Sequence, residues 1–324
     1  MTKRVLSGIR ATGSLHLGNY LGAVKGMLAL QDDPNYETLY MVADAHAITT
    51  PYDVENLRRF RREVIVDYLA AGLDPEKSII FCQADIPEHF ELAFYFSSVT
   101  TVGKMQHLPT FKEKVKQYPE HVTLALLNYP VLMSADILAY QAELVPVGVD
   151  QEPHLEVARE IARRMNQDYG TNFPEPQRFV TPGGYVPSLT GEGKMSKSVA
   201  GSFINLTDDL ETIRKKVRSV PTATESGGDM SPGVKSLFTF LELLAPEKVE
   251  PFLVEYDAAL LKYVELKDAV ATAIYKEIEP LQAKRAEILA KPEYVDEVLR
   301  AGASKAQAIA KATNQDVRNK LGLK

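Results

Sequence analysis

Two lysines at a short fixed interval carry the most evident chemistry in this sequence. Lys194 and Lys197 lie in one run with Met195, Ser196 and Ser198, and glycines on both sides of the run predict a loop. Ammonium groups and hydroxyl donors on such a loop suit a polyphosphate whose charge shifts during a reaction. A solvated surface loop with two unrelated lysines is the alternative, because a motif this short often occurs by chance. A second motif elsewhere in the chain that could bind the same polyphosphate would favour the first interpretation.

A second group of polar residues lies near the N-terminus. His16 and Asn19 flank Gly18; they follow a predicted strand, residues 4–7, and precede apolar residues at helical spacing. A strand–turn–helix of this kind places backbone N–H groups and a helix N-terminus at the carboxyl edge of a parallel sheet, where anions bind. Both side chains share one face of the first helical turn and can donate hydrogen bonds to phosphate oxygens. An ordinary capped amphipathic helix explains the pattern equally well.

Three polar residues between these groups stand out by their surroundings. Asp136 is the single acid in a nearly all-apolar helix predicted for residues 129–140, and a carboxylate buried without a partner is costly. A hydrogen bond within the fold and recognition of a ligand are equally open. His46 follows a strand and is either a pocket residue or a loop residue with its own hydrogen bonds. Asp150 begins a helix, where it can cap that helix or accept from a ligand hydroxyl.

Alternating strands and helices position these residues. Short apolar runs predict strands at 4–7, 38–42, 78–82 and 144–147, and helical patterns occur at 53–71, 88–98, 129–140 and 150–169. This alternation predicts an α/β fold, a Rossmann-type parallel sheet with helices on both faces. Beyond residue 206 the pattern is all-helical. We therefore expect a Rossmann-type catalytic domain over residues 1–206 and a helical domain with a C-terminal helix over residues 207–324.

The composition sets limits on function. The chain has 324 residues, of which 45% are hydrophobic and 25% charged, as in a globular protein. A formal net charge of −6 restricts any contact with nucleic acid to local basic patches. No apolar run reaches the length of a membrane span and the N-terminus lacks a secretory pattern, so we expect a cytoplasmic location. A single cysteine, Cys82, excludes an intrachain disulfide and any multi-cysteine metal or iron–sulfur site.

The motifs and their order resemble those of the class I aminoacyl-tRNA synthetases. His-Leu-Gly-Asn at 16–19 and Lys-Met-Ser-Lys-Ser at 194–198 look like the paired signature of that class. Three further segments, 42–49, 132–138 and 145–151, are similar to those of tryptophanyl-tRNA synthetases. The tyrosine enzymes share the fold and a similar Gly-x-Asp-Gln turn. A synthetase-like protein that binds nucleotide without charging tRNA is a third alternative.

The resemblance implies a tryptophan–tRNA ligase that works in two steps. The carboxylate of L-tryptophan attacks the α-phosphorus of ATP with Mg²⁺, and tryptophanyl-adenylate then transfers its acyl group to the terminal adenosine of tRNA(Trp). The resemblance also implies a homodimer, for which the apolar surfaces of residues 88–140 could supply the interface. Residues 207–324 would bind the anticodon, with Lys215, Lys216 and Arg218 as candidate phosphate contacts.

The nucleotide site follows from the same resemblance. The residues implied to act in catalysis are Lys194, Lys197, His16 and Asn19. The residues implied to contact ATP are Arg10, Ala11, Thr12, His16, Gly18 and Asn19 at the first turn; Lys114, Lys194, Met195, Ser196, Lys197 and Ser198 at the triphosphate; Gly148, Val149 and Asp150 at the ribose; and Val186, through its backbone, at the adenine.

Two departures from the commonest bacterial tryptophan enzymes concern the first turn. Arg10 and Ala11 stand where those enzymes have Gln and Pro, and His16 replaces a threonine. Arg10 would add a cation beside ATP. Some relatives with arginine at this position carry an iron–sulfur cluster, which the single cysteine excludes here.

The implied amino-acid site uses residues of the middle segments. Asp136 would accept a hydrogen bond from the indole N–H, which explains an acid in an apolar helix. Met133, Ala43 and His46 would line the same pocket, and Gln151 would hold the amino-acid end. A dry pocket with one acceptor rejects analogues that lack the N–H, because the carboxylate would be left unpaired.

Overall fold

A five-stranded parallel sheet forms the core of the larger of two compact units in this computed structural model, which describes residues 2–180, 185–197, 199–222 and 228–323. The strands are β1 (Lys3–Arg10), β2 (Tyr36–Ala43), β3 (Ile79–Cys82), β4 (Leu144–Pro146) and β5 (Gln177–Phe179). Their order across the sheet is β3-β2-β1-β4-β5, and every pair is parallel. The predicted α/β fold with a parallel sheet is confirmed.

Helices connect the strands and follow them. The α-helices are α1 (Leu17–Asn19), α2 (Lys25–Gln31), α3 (Val54–Ala71), α4 (Glu88–Ser97), α5 (Val102–His107), α6 (Pro109–Gln117), α7 (Leu124–Ala139), α8 (Glu152–Tyr169), α9 (Leu210–Arg218), α10 (Pro232–Leu244), α11 (Val249–Asp257), α12 (Tyr263–Leu289) and α13 (Pro292–Lys320). Short 3₁₀ helices lie at Ala45–Thr49, Gln83–Asp85, Pro119–His121, Val149–Gln151 and Pro246–Lys248, and a π-helical turn at Tyr20–Val24. Among the helices described, none has the length and apolar character that crossing a membrane requires.

The two compact units do not follow chain order. Unit 1 comprises Met1–Gly13, Met27–Thr181 and Lys291–Lys324, and unit 2 comprises Ser14–Gly26 and Pro182–Ala290. Unit 1 therefore holds the sheet and α13, whereas unit 2 holds α1, both sequence motifs and α9–α12. This division differs from the predicted domains 1–206 and 207–324, because the chain leaves unit 1 after β1, returns to it, and returns again for α13. Anticodon binding by residues 207–324 stays a prediction.

The core of unit 1 joins the strands to α4, α7, α8 and α13. Leu6, Leu39 and Phe81 of the three adjacent strands are buried with apolar residues of these helices. Parallel strands covered on both faces have continuous apolar sequences, which is why they could be predicted. Helix α13 packs directly on β3 at Gly302, where an added Cβ would overlap the carbonyl oxygen of Ile80.

Helix α7 and strand β5 are two of the elements that differ from the prediction. Helix α7 begins at Leu124 rather than at residue 129, because the Thr123 hydroxyl accepts a hydrogen bond from the Leu126 N–H at 3.2 Å and caps the helix. Strand β5 is not predicted at all. It has three residues, Gln-Arg-Phe, at the edge of the sheet and lacks an apolar run.

Candidate functional site

A cavity of about 340 Å³ opens at the carboxyl edge of the sheet in unit 1. It adjoins the neighbouring strands β1 and β4. From β1 the chain continues to β2, toward one edge of the sheet, and from β4 it continues to β5, at the other edge. Ligands of open parallel sheets bind at such a switch point. The cavity wall collects seven residues that the motifs imply: Arg10, Ala43, His46, Lys114, Met133, Asp136 and Gln151. Five others in this unit do not line it: Ala11, Thr12, Gly148, Val149 and Asp150.

Asp136 reaches this cavity from α7, and its side chain is fully buried. Its Oδ2 accepts a hydrogen bond from Nε2 of His46 at 2.9 Å. The Nε2 of Gln83 donates to both carboxylate oxygens, at 2.9 and 2.8 Å. Nδ1 of His89 lies 3.3 Å from Oδ1. The acid therefore has partners within the fold and also borders a cavity, so the two interpretations left open by the sequence are compatible.

Gln83 also belongs to this group, although it was not predicted from the sequence. It is fully buried and directly follows β3. A polar side chain immediately after a buried strand lies at the carboxyl edge of a parallel sheet, and this position is the signal that could have identified it. The other missed neighbour of Asp136, His89, is also fully buried. It is on α4, and no sequence pattern connects that helix with Asp136.

A chain of hydrogen bonds crosses another wall of the cavity. The Tyr129 hydroxyl donates to Thr110 Oγ1 at 2.8 Å, and Thr110 donates to His154 Nε2 at 2.9 Å. On the other side of the ring, His154 Nδ1 donates to Gln151 Oε1 at 3.0 Å. Burial first, and the nearby His46 second, lower the pKa of His154 to about 4. A neutral imidazole with its proton on Nδ1 fits this order of donors and acceptors, and it fixes the amide of Gln151.

The turn after β4 carries the three residues implied at the ribose. Gly148, Val149 and Asp150 are exposed, and the Gln151 N–H donates to the Gly148 carbonyl at 3.0 Å. Gln151 Nε2 donates to Asp150 Oδ2 at 2.7 Å. A Cβ at Gly148 would approach the Asp150 carboxylate closely, so a larger residue there would require the exposed Asp150 side chain to move. The N-cap residue of α8 is Gln151, so the side chain of Asp150 does not cap this helix.

Two cationic side chains stand at the mouth of the cavity. Arg10, the last residue of β1, donates from Nη2 to the His46 carbonyl at 3.3 Å and to Thr50 Oγ1 at 3.4 Å. Lys114 of α6 donates to Gln117 at 2.7 Å. Burial first and the charge of Arg10 second lower the pKa of Lys114. Beside them, Thr12 donates its N–H to the Arg10 carbonyl at 2.9 Å, and Ala11 is buried.

In unit 2, His16 is the N-cap residue of α1. Its Nδ1 accepts from the Asn19 N–H at 3.3 Å, and its own N–H donates to Asn19 Oδ1 at 3.2 Å, which together form a capping box. Burial, followed by the charges of Lys197 and Lys194, lowers the pKa of His16 to about 4. Because Nδ1 accepts, the neutral ring carries its proton on Nε2 and keeps one donor.

The loop that contains Lys194 and Lys197, here called the lysine loop, lies against the N-cap of α1 within unit 2. The Gly18 N–H donates to Sδ of Met195 at 3.3 Å, and Met195 is buried. The Lys197 ammonium donates to the carbonyl of Ser14. Lys194 is exposed and forms a β-bridge with Pro187. Unit 2 thus brings the two sequence motifs together.

The resemblance also places Val186, beside this loop, and Ser196, within it, at the nucleotide. Val186 is buried, and its carbonyl accepts the Met195 N–H at 2.9 Å. The Ser196 N–H donates to Ser202 Oγ at 3.2 Å. Ser198 lies outside the described residues. Within those residues, no group of three or more His, Cys, Asp or Glu side chains is arranged to hold a metal ion.

Comparison with known proteins identifies a family and a set of relatives. Residues 2–286 match the family described as tRNA synthetases class I (W and Y). The tryptophan–tRNA ligase of Chlamydia caviae is 40% identical, over 99% of this chain and 96% of its own length. That of Porphyromonas gingivalis is 39% identical, over 99% of both chains.

Solved structures agree with the sequence matches. The crystal structure of tryptophanyl-tRNA synthetase from Campylobacter jejuni, complexed with ADP and tryptophan, has a TM-score of 0.87 and 32% identity, over 98% of this chain and 99% of that one. Tyrosyl-tRNA synthetase from Archaeoglobus fulgidus, with a TM-score of 0.69 and 20% identity over 88% of this chain and 90% of that one, shares the fold.

Proposed function

The chain belongs to the class I tRNA synthetases for tryptophan and tyrosine and acts as a tryptophan–tRNA ligase, and from this premise we propose how its cavity selects tryptophan. The indole lies in the apolar cavity of unit 1, and its N–H donates to the Asp136 carboxylate. Met133, Ala43 and His46 line the ring, and Gln151 binds the amino-acid end. The observation that carries this proposal is a fully buried acid bordering an apolar cavity.

The acceptor capacity of Asp136 supports this assignment. A carboxylate has about four lone-pair positions. Gln83 and His46 provide two donor groups, which leaves capacity for a further N–H from the cavity side. A phenol can donate only from its single O–H at the para position, whereas the indole donor is an N–H on the edge of the fused ring, so the position of Asp136 relative to the ring would favour the indole.

The reaction itself needs no protein nucleophile. The tryptophan carboxylate attacks the α-phosphorus of ATP, pyrophosphate leaves, and the terminal adenosine hydroxyl of tRNA(Trp) later displaces AMP from the mixed anhydride. Such a reaction is accelerated by positioning and by cations near the developing charge. We propose that Mg²⁺ arrives with ATP as part of the substrate.

We assign nucleotide contacts separately to each unit. In unit 1, Arg10 and Lys114 supply positive charge for phosphate, with Ala11 and Thr12 beside them, and residues 148–150 bind the ribose. In unit 2, the proposed contacts are His16 through Nε2, Gly18, Asn19, Lys194, Met195, Ser196, Lys197, Ser198 and the Val186 backbone. The low pKa of His16 supports a neutral donor there, so the loop lysines carry the positive charge.

Macromolecular partners are also proposed. Residues 207–324 would bind the anticodon of tRNA(Trp); Lys215 is exposed, whereas Lys216 and Arg218 pair with Asp208 and Asp268. A homodimer would bury the apolar side chains exposed between residues 88 and 140. We place the enzyme in the cytoplasm, because charged tRNA is consumed there by protein synthesis.

The test of tryptophan selection is ATP–pyrophosphate exchange, measured with tryptophan and with tyrosine. We expect exchange with tryptophan, and we expect Asp136→Ala to lower kcat/KM for tryptophan by about 100-fold while KM for ATP changes little. Ser134→Ala is the control, because this residue of α7 donates its hydroxyl hydrogen bond to Pro130 of its own helix. An Asp136→Ala enzyme within a few fold of the wild type would refute the indole assignment.

A further inference from the structure

Gln83 is held in one orientation by its surroundings. Its Oε1 accepts the backbone N–H of His46 at 3.2 Å. The amide nitrogen must therefore face the other way, where it donates to both oxygens of Asp136 at 2.9 and 2.8 Å. Since the residue is fully buried, a reversed amide would face carboxylate oxygens with its own oxygen and leave the His46 N–H unpaired.

Gln83, His46 and Asp136 form a closed ring of hydrogen bonds. The third side is the 2.9 Å contact from His46 Nε2 to Asp136 Oδ2. Gln83 and His46 come from the short 3₁₀ helices that follow β3 and β2, and Asp136 comes from the last turn of α7. The ring therefore ties the carboxylate on a helix to two strand ends of the sheet.

Asp44 fixes the distance between those two strand ends. Its Oδ1 accepts the N–H groups of Ala45 and Ala84, both at 2.9 Å. These residues are the neighbours of His46 and Gln83 in the sequence. The other oxygen of Asp44 pairs with Arg61 Nε at 2.5 Å, and Asp44 is buried. Gln83 and His46 are thus presented to Asp136 by one rigid frame.

The torsion that Gln83 restrains decides where an indole can bind. The last torsion of an aspartate side chain has a broad energy profile, so packing alone does not set the plane of its carboxylate. A donor shared between both oxygens sets that plane. Indole recognition needs one lone pair directed into the cavity, and a rotated carboxylate would direct it into the wall.

We propose that Gln83 is a positioning residue for tryptophan selection, which orients the Asp136 carboxylate toward the indole. This inference rests on the proposed role of Asp136. Gln83 itself does not line the cavity and touches no reacting atom. Its loss should therefore raise KM for tryptophan and leave kcat at saturation and KM for ATP nearly unchanged.

The first variant is Gln83→Met, which keeps the length of the side chain but donates no hydrogen bond. We expect KM for tryptophan to rise about tenfold. A KM within twofold of the wild type, in an enzyme for which Asp136→Ala is strongly impaired, would overturn the role of Gln83 and leave the indole assignment intact. If Asp136→Ala is itself unimpaired, the proposed function fails instead.

The second variant, Gln83→Glu, separates positioning from simple structural support. The introduced carboxyl group would share a proton with Asp136, because two carboxylates in contact cannot both ionise easily. While that proton is bound, the acid group donates to Asp136 as the amide does; once it is lost, the donor becomes a repelling charge. The ratio of KM for tryptophan, Gln83→Glu over wild type, should rise about tenfold or more with pH.

Using the ratio removes the contribution of other groups near this position. The titratable side chains around it are His46 after β2, Cys82 at the end of β3, Glu88 and His89 on α4, Asp136 on α7 and Tyr140 directly after α7, with the Asp44–Arg61–Asp85 ion pairs behind the strand ends. A ratio that is constant with pH, or a change in kcat alone, would overturn the inference. This arm applies even if Gln83→Met fails to fold, since the glutamate side chain is isosteric with the native residue.

Discussion

At the scale of single residues, Asp136 illustrates what a sequence can and cannot predict. An acid within an apolar helix predicts a special site, because burying a charge demands partners. Which partners it has depends on β2, β3 and α4, which meet only in the folded chain. His46 and Gln151 could be anticipated from motifs and Gln83 from its position directly after a buried strand, whereas Thr110 and Tyr129 have ordinary sequence surroundings. The residues that we propose to contact the substrate are thus more predictable than those that hold them in position.

His154 is the residue for which we predict a dependence on pH. Its folded-state pKa of about 4 lies below the ordinary value near 6.5. The stability that the neutral ring contributes is complete above pH 6.5 and is lost as the pH falls toward 4. This shift corresponds to about 3 kcal/mol of unfolding free energy.

The measurement compares chemical denaturation of the wild type and His154→Gln at pH 7 and pH 4. We expect the wild type to lose more stability than the variant over this interval. His16 has a similar pKa but is present in both proteins, so its contribution cancels. Equal losses would mean that His154 is not neutral in the folded protein.

At the scale of elements, the contact of α13 with β3 leaves no room for a larger residue at Gly302. Gly302→Ala would place a methyl group on the Ile80 carbonyl, and a backbone atom cannot move aside as a flexible side chain can. We expect a loss of about 3 kcal/mol in unfolding free energy. Gly103→Ala on α5, where nothing lies within 4 Å of the new Cβ, should be neutral or stabilising. Equal melting temperatures for the two variants would contradict this packing.

The hydrogen bond between the two sequence motifs also gives a prediction. Met195→Leu keeps a buried side chain of similar volume but removes the acceptor of the Gly18 N–H. Because we place both motifs at the nucleotide, kcat of ATP–pyrophosphate exchange should fall about tenfold with KM for tryptophan unchanged. Met165→Leu, in the core of α8, is the matched control. An equal effect of both substitutions would point to general packing rather than to this contact.

The central strands and long helices were predictable for a common reason. The buried central residues of β1–β3 are mostly apolar because both faces of the sheet are covered there. Helices α3 and α8 begin and end at recognisable residues such as Asp53, Gly72 and Gly170. Strand β5 has no such signal because an edge strand of three residues is determined by its neighbour β4. The start of α7 depended on a threonine cap that competes with a proline seven residues later.

At the scale of the whole molecule, each compact unit combines segments that are distant in the sequence, and unit 2 joins the two sequence motifs in this way. Residues 14–26 lie in unit 2, although they are flanked by segments of unit 1. No local pattern marks this crossing, because long-range packing decides it. The predicted domains divide the chain at one point in the sequence, whereas each compact unit is built from segments that are separate in the sequence.

The proposed homodimer is testable through the apolar side chains that remain exposed. Phe94 and Leu124 are 77% and 83% exposed, within the predicted interface segment. We expect Phe94→Glu combined with Leu124→Glu to convert a dimer to a monomer in sedimentation equilibrium, because buried charges oppose association. Leu260→Glu, at a residue 72% exposed in unit 2, should leave the mass unchanged. A wild-type chain that sediments as a monomer would refute the dimer.

The cavity beside Asp136 has a spectroscopic consequence. The chain contains no tryptophan, so a tryptophan bound there would be the only indole in the binary complex. Its emission could be excited selectively over the protein's tyrosines. The wavelength of that emission would report the dryness of the cavity, and its anisotropy would report how firmly the ring is held. Tryptophan binding to each variant of Gln83 or Asp136 could then be measured from the fluorescence of the substrate, without a label on the enzyme.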